Sequence, residues 1–320
     1  MKTIQAAINL GVLALFAVIL LPDAFGQAGR SAGQDRVLTT GDGWPIHITY
    51  YESSKGKEAP VVILLPGADG EKSMTRKAWD SVAKVLQKRD FAVVTADLRK
   101  HGDSMPPTDG KPNPRLARVS PQDYALMVTQ DLEAIKAFLV EEHQKEKLNI
   151  RKLGIGASGS SAIVAAAFAA NDWLKKPWND APVAAAKTPR GQDVRAILML
   201  SPAVSAGRIS SMAPMKVVAD ETKGVAIHVY YNSADKAEKS AAEKLFRLVE
   251  IRGAEDKPES PRYKLEVPAA EQYSGDALLD GKLADGRPLK PQMEQLVTDF
   301  FEKFVKQRTD PWKTRTSRLQ

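Results

Sequence analysis

The chain has 320 residues, of which 43% are hydrophobic and 27% charged, and its 46 basic and 39 acidic side chains leave a formal net charge of +7. These proportions are ordinary for a globular protein and exclude a mostly disordered chain, a collagen-like chain and a polytopic membrane protein. Cysteine is absent, which removes disulfides, thiolate metal sites, a cysteine nucleophile and a lipoprotein anchor.

The N-terminus reads as an export signal. Lys2 supplies a short positive region, Ile4 to Pro22 carries no charge, and Leu10 to Leu21 is almost wholly aliphatic. Ala24-Phe25-Gly26 then offers the small residues that a signal peptidase requires. The alternative is a retained membrane anchor, for which the uncharged stretch is near the lower length limit. The expected division is a signal peptide at 1–26, a linker at 27–35, a folded domain at 36–306 and a basic tail at 307–320. Removal of the signal takes one Lys and one Asp and leaves the net charge unchanged. The protein is therefore expected to be secreted or periplasmic, with no membrane contact beyond the signal. The basic residues form no clustered stripe, so no nucleic acid partner is expected. The nearest cluster, Lys303, Lys306, Arg308, Lys313, Arg315 and Arg318, reads as a solvated tail.

Strands then alternate with helices. Arg36 to Thr40 and Ile46 to Tyr51 read as two strands around the turn Gly41-Asp42-Gly43. Val61 to Leu65 is an unbroken aliphatic run, the pattern of a strand buried on both faces. Trp79, Val82, Ala83 and Leu86 recur at helical spacing within 76–88. Phe91 to Ala96 is the next buried strand, and Pro121 to Val140 a long helix with Tyr124, Val128, Leu132, Ile135 and Leu139 on one stripe. Lys152 to Gly156 is a strand and Ser160 to Ala170 a small-residue helix. Strands at Ala196 to Ser201, Val225 to Tyr231 and Tyr263 to Val267 alternate with helices at Ala237 to Val249 and Lys290 to Val305. The alternation predicts a mostly parallel sheet covered on both faces. Loops at 102–120 and 171–193 read as surface insertions within one domain.

The chemistry centres on Gly156-Ala157-Ser158-Gly159-Ser160, between a strand and a helix. This is the G-x-S-x-G pattern with Ser in its last place. A serine nucleophile on a sharp, strained turn needs small neighbours two residues to either side, and Gly156 and Ser160 are small. Leu64-Leu65-Pro66-Gly67-Ala68 and Asp97-Leu98-Arg99-Lys100-His101-Gly102-Asp103-Ser104 follow two earlier strands.

With these three segments in this order, residues 36 to 306 resemble the α/β-hydrolase superfamily, in its esterase and dienelactone-hydrolase-like branches. The resemblance implies an α/β-hydrolase fold with little or no cap, since the connection from Ala203 to Gly224 is short. It implies Ser158 as nucleophile and the backbone N–H groups of Ala68 and Gly159 as oxyanion-hole donors. It implies Asp235, after the strand at Val225, as the triad acid, although the same residue would serve as a helix N-cap. Pro66 stands where the family usually has histidine, a position that shapes the turn. The implied activity is serine hydrolysis of an ester or other acyl substrate, without cofactor.

The base departs from the pattern. The family places a histidine after the last strand, often as H-G-x-x-L-L. Here Ser274-Gly275-Asp276-Ala277-Leu278-Leu279 puts Ser274 in that slot, and no histidine follows His228. A hydroxyl is no base near neutral pH, so efficient triad catalysis is expected to be lost, and the chain reads as a pseudoenzyme that uses its cleft or surface to bind a small molecule or another ligand. The competing expectation is an active esterase with a substitute base. Of the four histidines, His47 reads as surface-facing, His143 as solvated at a helix end and His228 as a packed sheet residue. His101 is left as the one candidate base. No metal-ligand spacing or phosphate-binding glycine loop is present, so no metal or cofactor is expected.

Overall fold

The computed structural model describes residues 32–70, 74–105, 118–250, 262–266, 272–317 and 319. Eight strands form one sheet: β1 (Gln34–Thr39), β2 (Pro45–Tyr51), β3 (Val61–Leu65), β4 (Ala92–Ala96), β5 (Leu153–Ser158), β6 (Val194–Leu200), β7 (Ala226–Tyr230) and β8 (Tyr263–Glu266). Their order across the sheet is β1-β2-β4-β3-β5-β6-β7-β8. The pairs β1–β2 and β2–β4 are antiparallel and the other neighbours are parallel. The expected export signal lies outside the described residues. No helix among the described residues is long and apolar enough to cross a membrane.

Each central strand sends alternate side chains into two apolar layers, as a pleated strand covered on both faces must. Ile63, Leu65, Ile155, Ala157, Ile197 and Met199 enter one layer. That layer is roofed by α2 (Pro121–Leu126, a π-type stretch Met127–Asp131, then Leu132–Gln144), α3 (Gly159–Leu174), α4 (Met212–Val218) and α5 (Lys236–Glu250). Val62, Leu64, Leu198 and Leu200 enter the other, beneath α1 (Asp80–Lys88) and α6 (Lys290–Phe301). The connection between β6 and β7 holds only α4, a 3-10 turn and a two-residue hairpin (Ser205–Ala206 with Ile209–Ser210), and no cap domain.

Close approach explains the glycines of β5. A Cβ at Gly154 would come within 2.7 Å of the Phe301 ring, and one at Gly156 within 2.8 Å of Leu64 Cδ2. Helix α6 can therefore lie directly on the central strand.

The aspartate and arginine of the loop after β4 are scaffold. Asp97 is fully buried and accepts from Arg76 N and Arg76 Nη1, each at 2.6 Å. Arg99 donates from Nε to Asp131 Oδ1 (2.8 Å) and from Nη1 to Asp42 Oδ2 (2.9 Å). Ser104 Oγ donates to Asp97 O at 2.7 Å and accepts from His47 N at 2.8 Å, tying the loop back to β2.

Two surface expectations are corrected. His143 is fully buried: Nδ1 lies 3.0 Å from Leu148 O and Nε2 2.7 Å from Lys313 O. Part of the segment that read as a solvated tail docks on the domain, while Arg318 lies outside the described residues. Trp312 stacks on the His143 ring at 4.7 Å and donates from Nε1 to His143 O at 3.1 Å. Asn149 Nδ2 donates to Asp310 O at 3.0 Å, and Arg315 is buried in an ion pair with Asp193. The charge run around His143 hid a surface that another segment covers. His228 is packed, as its strand position implied, with its ring 4.5 Å from that of Phe300.

Trp312→Ala is expected to destabilise the fold by about 2 kcal/mol, below the range for a fully buried tryptophan because Trp312 is half-buried. Equilibrium denaturation in urea measures this, and a solvated tail would give no change.

Candidate functional site

Ser158 closes β5, paired with Leu200 of β6, and α3 begins at the next residue. The backbone of Ser158 is extended, with φ −114° and ψ 156°. The positive φ of the turn, +50°, belongs to Gly159. The sharp bend is thus one residue later than the G-x-S-x-G pattern leads one to expect, and it falls on a glycine that adopts it without a Cβ penalty. Ser158 stays in strand alternation with Gly154 and Gly156, and it is 1% exposed.

Its hydroxyl donates to Asp276 Oδ1 at 2.6 Å. Asp276 opens a 3-10 turn, Gly275–Leu279, whose Leu278 and Leu279 are buried in the α1/α6 layer. The same carboxylate accepts from Gly67 N through Oδ2 at 2.7 Å and from Trp79 Nε1 through Oδ1 at 3.0 Å. Burial is the largest influence on Asp276 and raises its pKa above the ordinary carboxylate value. The bonds from Ser158, Gly67 and Trp79 oppose the rise, and the nearby charge of Asp69 adds to it.

The sequence-predicted partners lie elsewhere. Asp235 is exposed and caps α5, accepting from Ala237 N (2.8 Å) and Glu238 N (3.1 Å). Its capping role prevails because the chain turns into α5 before the carboxylate can reach β5. His101 is buried, with Nδ1 2.9 Å from Arg99 O and Nε2 accepting from Gly70 N at 3.2 Å. These bonds fix the tautomer with the proton on Nδ1 and occupy the lone pair that a base would use. Burial also lowers the pKa of His101 and keeps the ring neutral. Ser274 donates to Glu238 Oε2 at 2.7 Å and accepts from Asn232 Nδ2 at 3.3 Å. Asp276, two residues beyond the slot read from the sequence, is the group that meets Ser158. The signal for it was a lone acid ahead of Ala277-Leu278-Leu279, at a place where the turn buries every second or third side chain.

A cleft of about 260 Å³ lies over Ser158 at the C-terminal edge of the sheet. Among the described residues its polar lining is Asp69, Glu238 and Asp276 with the hydroxyls of Ser158, Ser201 and Ser274, with no cationic side chain and no histidine. Gly159 lines it, whereas Ala68 is buried and accepts at its carbonyl from Tyr124 Oη at 2.8 Å. The Asp69 carboxylate accepts from Ser160 Oγ at 2.5 Å. A Cβ on Gly159 would collide with Asp69 Oδ2, and one on Gly67 would stand 2.9 Å from it. A carboxylate therefore occupies the space between the two glycine turns, where an oxyanion hole would hold developing negative charge. Among the described residues no group of three or more His, Asp or Glu is placed to hold a metal ion.

The fold agrees with that of solved structures. An esterase from Thermogutta terrifontis aligns over 85% of this chain and 94% of its own, with a TM-score of 0.55 and 14% identity. An esterase from Pyrococcus furiosus aligns over 85% and 91%, with a TM-score of 0.54 and 13% identity. The chain has the α/β-hydrolase fold. No family model and no curated protein sequence matches it. In this chain β5 ends in an extended, buried serine bonded to an acid.

The raised pKa of Asp276 sets a sign for the pH dependence of stability. The unfolded carboxyl loses its proton near pH 4. Between that value and the higher folded one the native state holds more protons, so unfolding free energy falls as pH rises through the window. Asp276→Asn removes that component. Denaturation curves at pH 3.5 to 7.5 are expected to show the wild type losing stability relative to Asp276→Asn as pH rises, and curves that stay parallel would contradict this.

Proposed function

We propose that this protein is an exported α/β-hydrolase-fold protein that binds a small hydroxyl- or amine-bearing molecule in the cleft over Ser158 and does not carry out efficient triad hydrolysis. One observation carries the reading: the hydroxyl of Ser158 is held by Asp276, a buried carboxylate pinned by two further donors. Transfer of the serine proton needs a base whose pKa lies near the working pH. A carboxylate is ordinarily a weaker base than imidazole, and the oxygens of Asp276 are already shared with two further donors, Gly67 N and Trp79 Nε1. The cleft electrostatics support the same reading. A tetrahedral oxyanion would form beside Asp69, in a cleft whose charged side chains among the described residues are all acidic, and like charge there raises the barrier. Hydroxyls and ammonium groups, by contrast, find three carboxylates and three serines. The sequence pattern at residues 1–26 supports export to a periplasm or the cell exterior.

A second reading is favoured by the short Ser158–Asp276 bond. Here Asp276 would act as a poor base for slow turnover of an ester or other acyl substrate. The Thermogutta esterase with this fold is phosphoramylated by tabun, and organophosphorus reagents report an activated serine directly.

Folded protein treated with a fluorophosphonate probe is expected to show no labelling at Ser158 beyond that of a denatured sample or of Ser158→Ala. Peptide mass spectrometry reads the adduct. Fast labelling confined to native Ser158 would overturn the binding reading and establish an active serine.

A further inference from the structure

The opposite edge of the sheet carries a second cavity, of about 230 Å³, where β5 and β6 begin. Its walls come from Arg151 before β5, the end of α3, the segment between α3 and β6, Arg195 of β6 and the docked C-terminal residues. Among the described residues seven cationic side chains line it and no acidic one does. The imbalance persists when neighbouring carboxylates are included. Asp310 alone serves three guanidinium groups, Arg195 at 3.0 Å, Arg308 at 2.7 Å and Arg151 at 3.7 Å. Asp172 and Asp193 are matched by Lys136 and Arg315. Lys175 is paired with Glu133. Three cations have no ion pair among the described residues. Lys187 donates to the neutral Asn179 Oδ1 at 2.8 Å, Arg190 lies over the Trp178 ring at 4.4 Å, and Lys313 projects into solvent.

Two of the lining arginines are desolvated. Arg195 is 7% exposed, and burial lowers its pKa against the attraction of Asp310, with Arg308 and Arg151 adding repulsion. Arg315 is 7% exposed, and its Nε is buried without a hydrogen-bond partner. Concentrated positive charge on buried donors destabilises the empty site, and a bound anion relieves it. The volume lies just below the range of ordinary ligand sites, about 300–1,000 Å³, which suits a small molecule. Donors converge from three separate chain segments. A planar carboxylate offers two oxygens in one plane, whereas a phosphate or sulfate group offers oxygens in several directions.

We infer that this cavity is a binding site for a small ligand carrying a tetrahedral oxyanion, a phosphate or a sulfate group. The site is independent of the Ser158 cleft, from which it is separated by the length of the central strands.

Calorimetric titration of the full chain tests it. The probes are inorganic phosphate, inorganic sulfate, glucose 6-phosphate and glucose 6-sulfate, with ionic strength held constant by chloride. Saturable one-to-one binding is expected for at least one of the four, and the tighter of the two sugar esters identifies the source of the anion. The double substitution Arg190→Ala/Lys313→Ala removes two exposed cations without an ion pair and is expected to weaken binding about tenfold or more. Lys187→Glu, a charge reversal elsewhere on the rim, is expected to weaken it independently. Absence of saturable binding for all four probes would overturn the inference. So would unchanged affinity in both variants, or acetate binding as tightly as phosphate.

Discussion

One buried carboxylate ties the functional end of this molecule together. Asp276 receives a hydroxyl from the last residue of β5, a backbone N–H from the turn after β3 and an indole N–H from Trp79 at the start of α1. Three segments far apart in sequence are thereby fixed around one acceptor. A buried carboxylate costs too much to ionise unless donors surround it, and each of these three donors is satisfied by the same carboxylate. The arrangement is mutually dependent. It also places the Ser158 hydroxyl, at the floor of the cleft, in a hydrogen bond to a carboxylate.

The architecture was open to inspection in the sequence because it rests on local periodicity. Val61–Leu65, Phe91–Val94 and Ala196–Leu200 are continuous apolar runs, and only burial on both faces accommodates such runs in strands. Their alternation with amphipathic segments led to the parallel sheet. The expectations that failed concern surfaces closed by a distant segment. His143 stands among Glu141, Glu142 and Lys145, and nothing local announces that Trp312 will stack on it. Likewise the run of Lys and Arg after residue 303 reads as solvated by composition, although Arg315 finds a buried aspartate more than a hundred residues away.

The site was half legible for a similar reason. Ser158, its glycine-bounded turn and its place after a buried strand follow from chain order alone. Its partner depends on how a turn near the C-terminus lies over β5. Alignment on Gly275 and the leucine pair led to Ser274, but register along the chain does not decide which side chain of a 3-10 turn points inward. In three-residue periodicity Asp276 shares the buried side with Leu279, while Ser274 faces Glu238 on α5. The bend at Gly159 was also out of reach, since a sequence motif shows that small residues are present and not which one carries the positive φ.

The two ends of the sheet have opposite electrostatic character, and the fold explains why this matters. In a parallel α/β sheet the helices that follow the strands start at the C-terminal edge, so their N-termini make that edge the natural place for an anion. Here α3 starts beside the Asp69 carboxylate, which accepts from Ser160 in its first turn. The chain's own acid already occupies the position that would stabilise a developing oxyanion. At the other edge the helix C-termini bring partial negative charge, yet arginines and lysines outnumber the carboxylates available to them. A formal charge of +7 is therefore not an even coating. Cations are gathered where helix dipoles offset them, and acids are gathered where helix dipoles attract them. Each set thus sits where its own helix termini lower the cost of holding it, and the molecule presents an acidic cleft at one end and a basic one at the other.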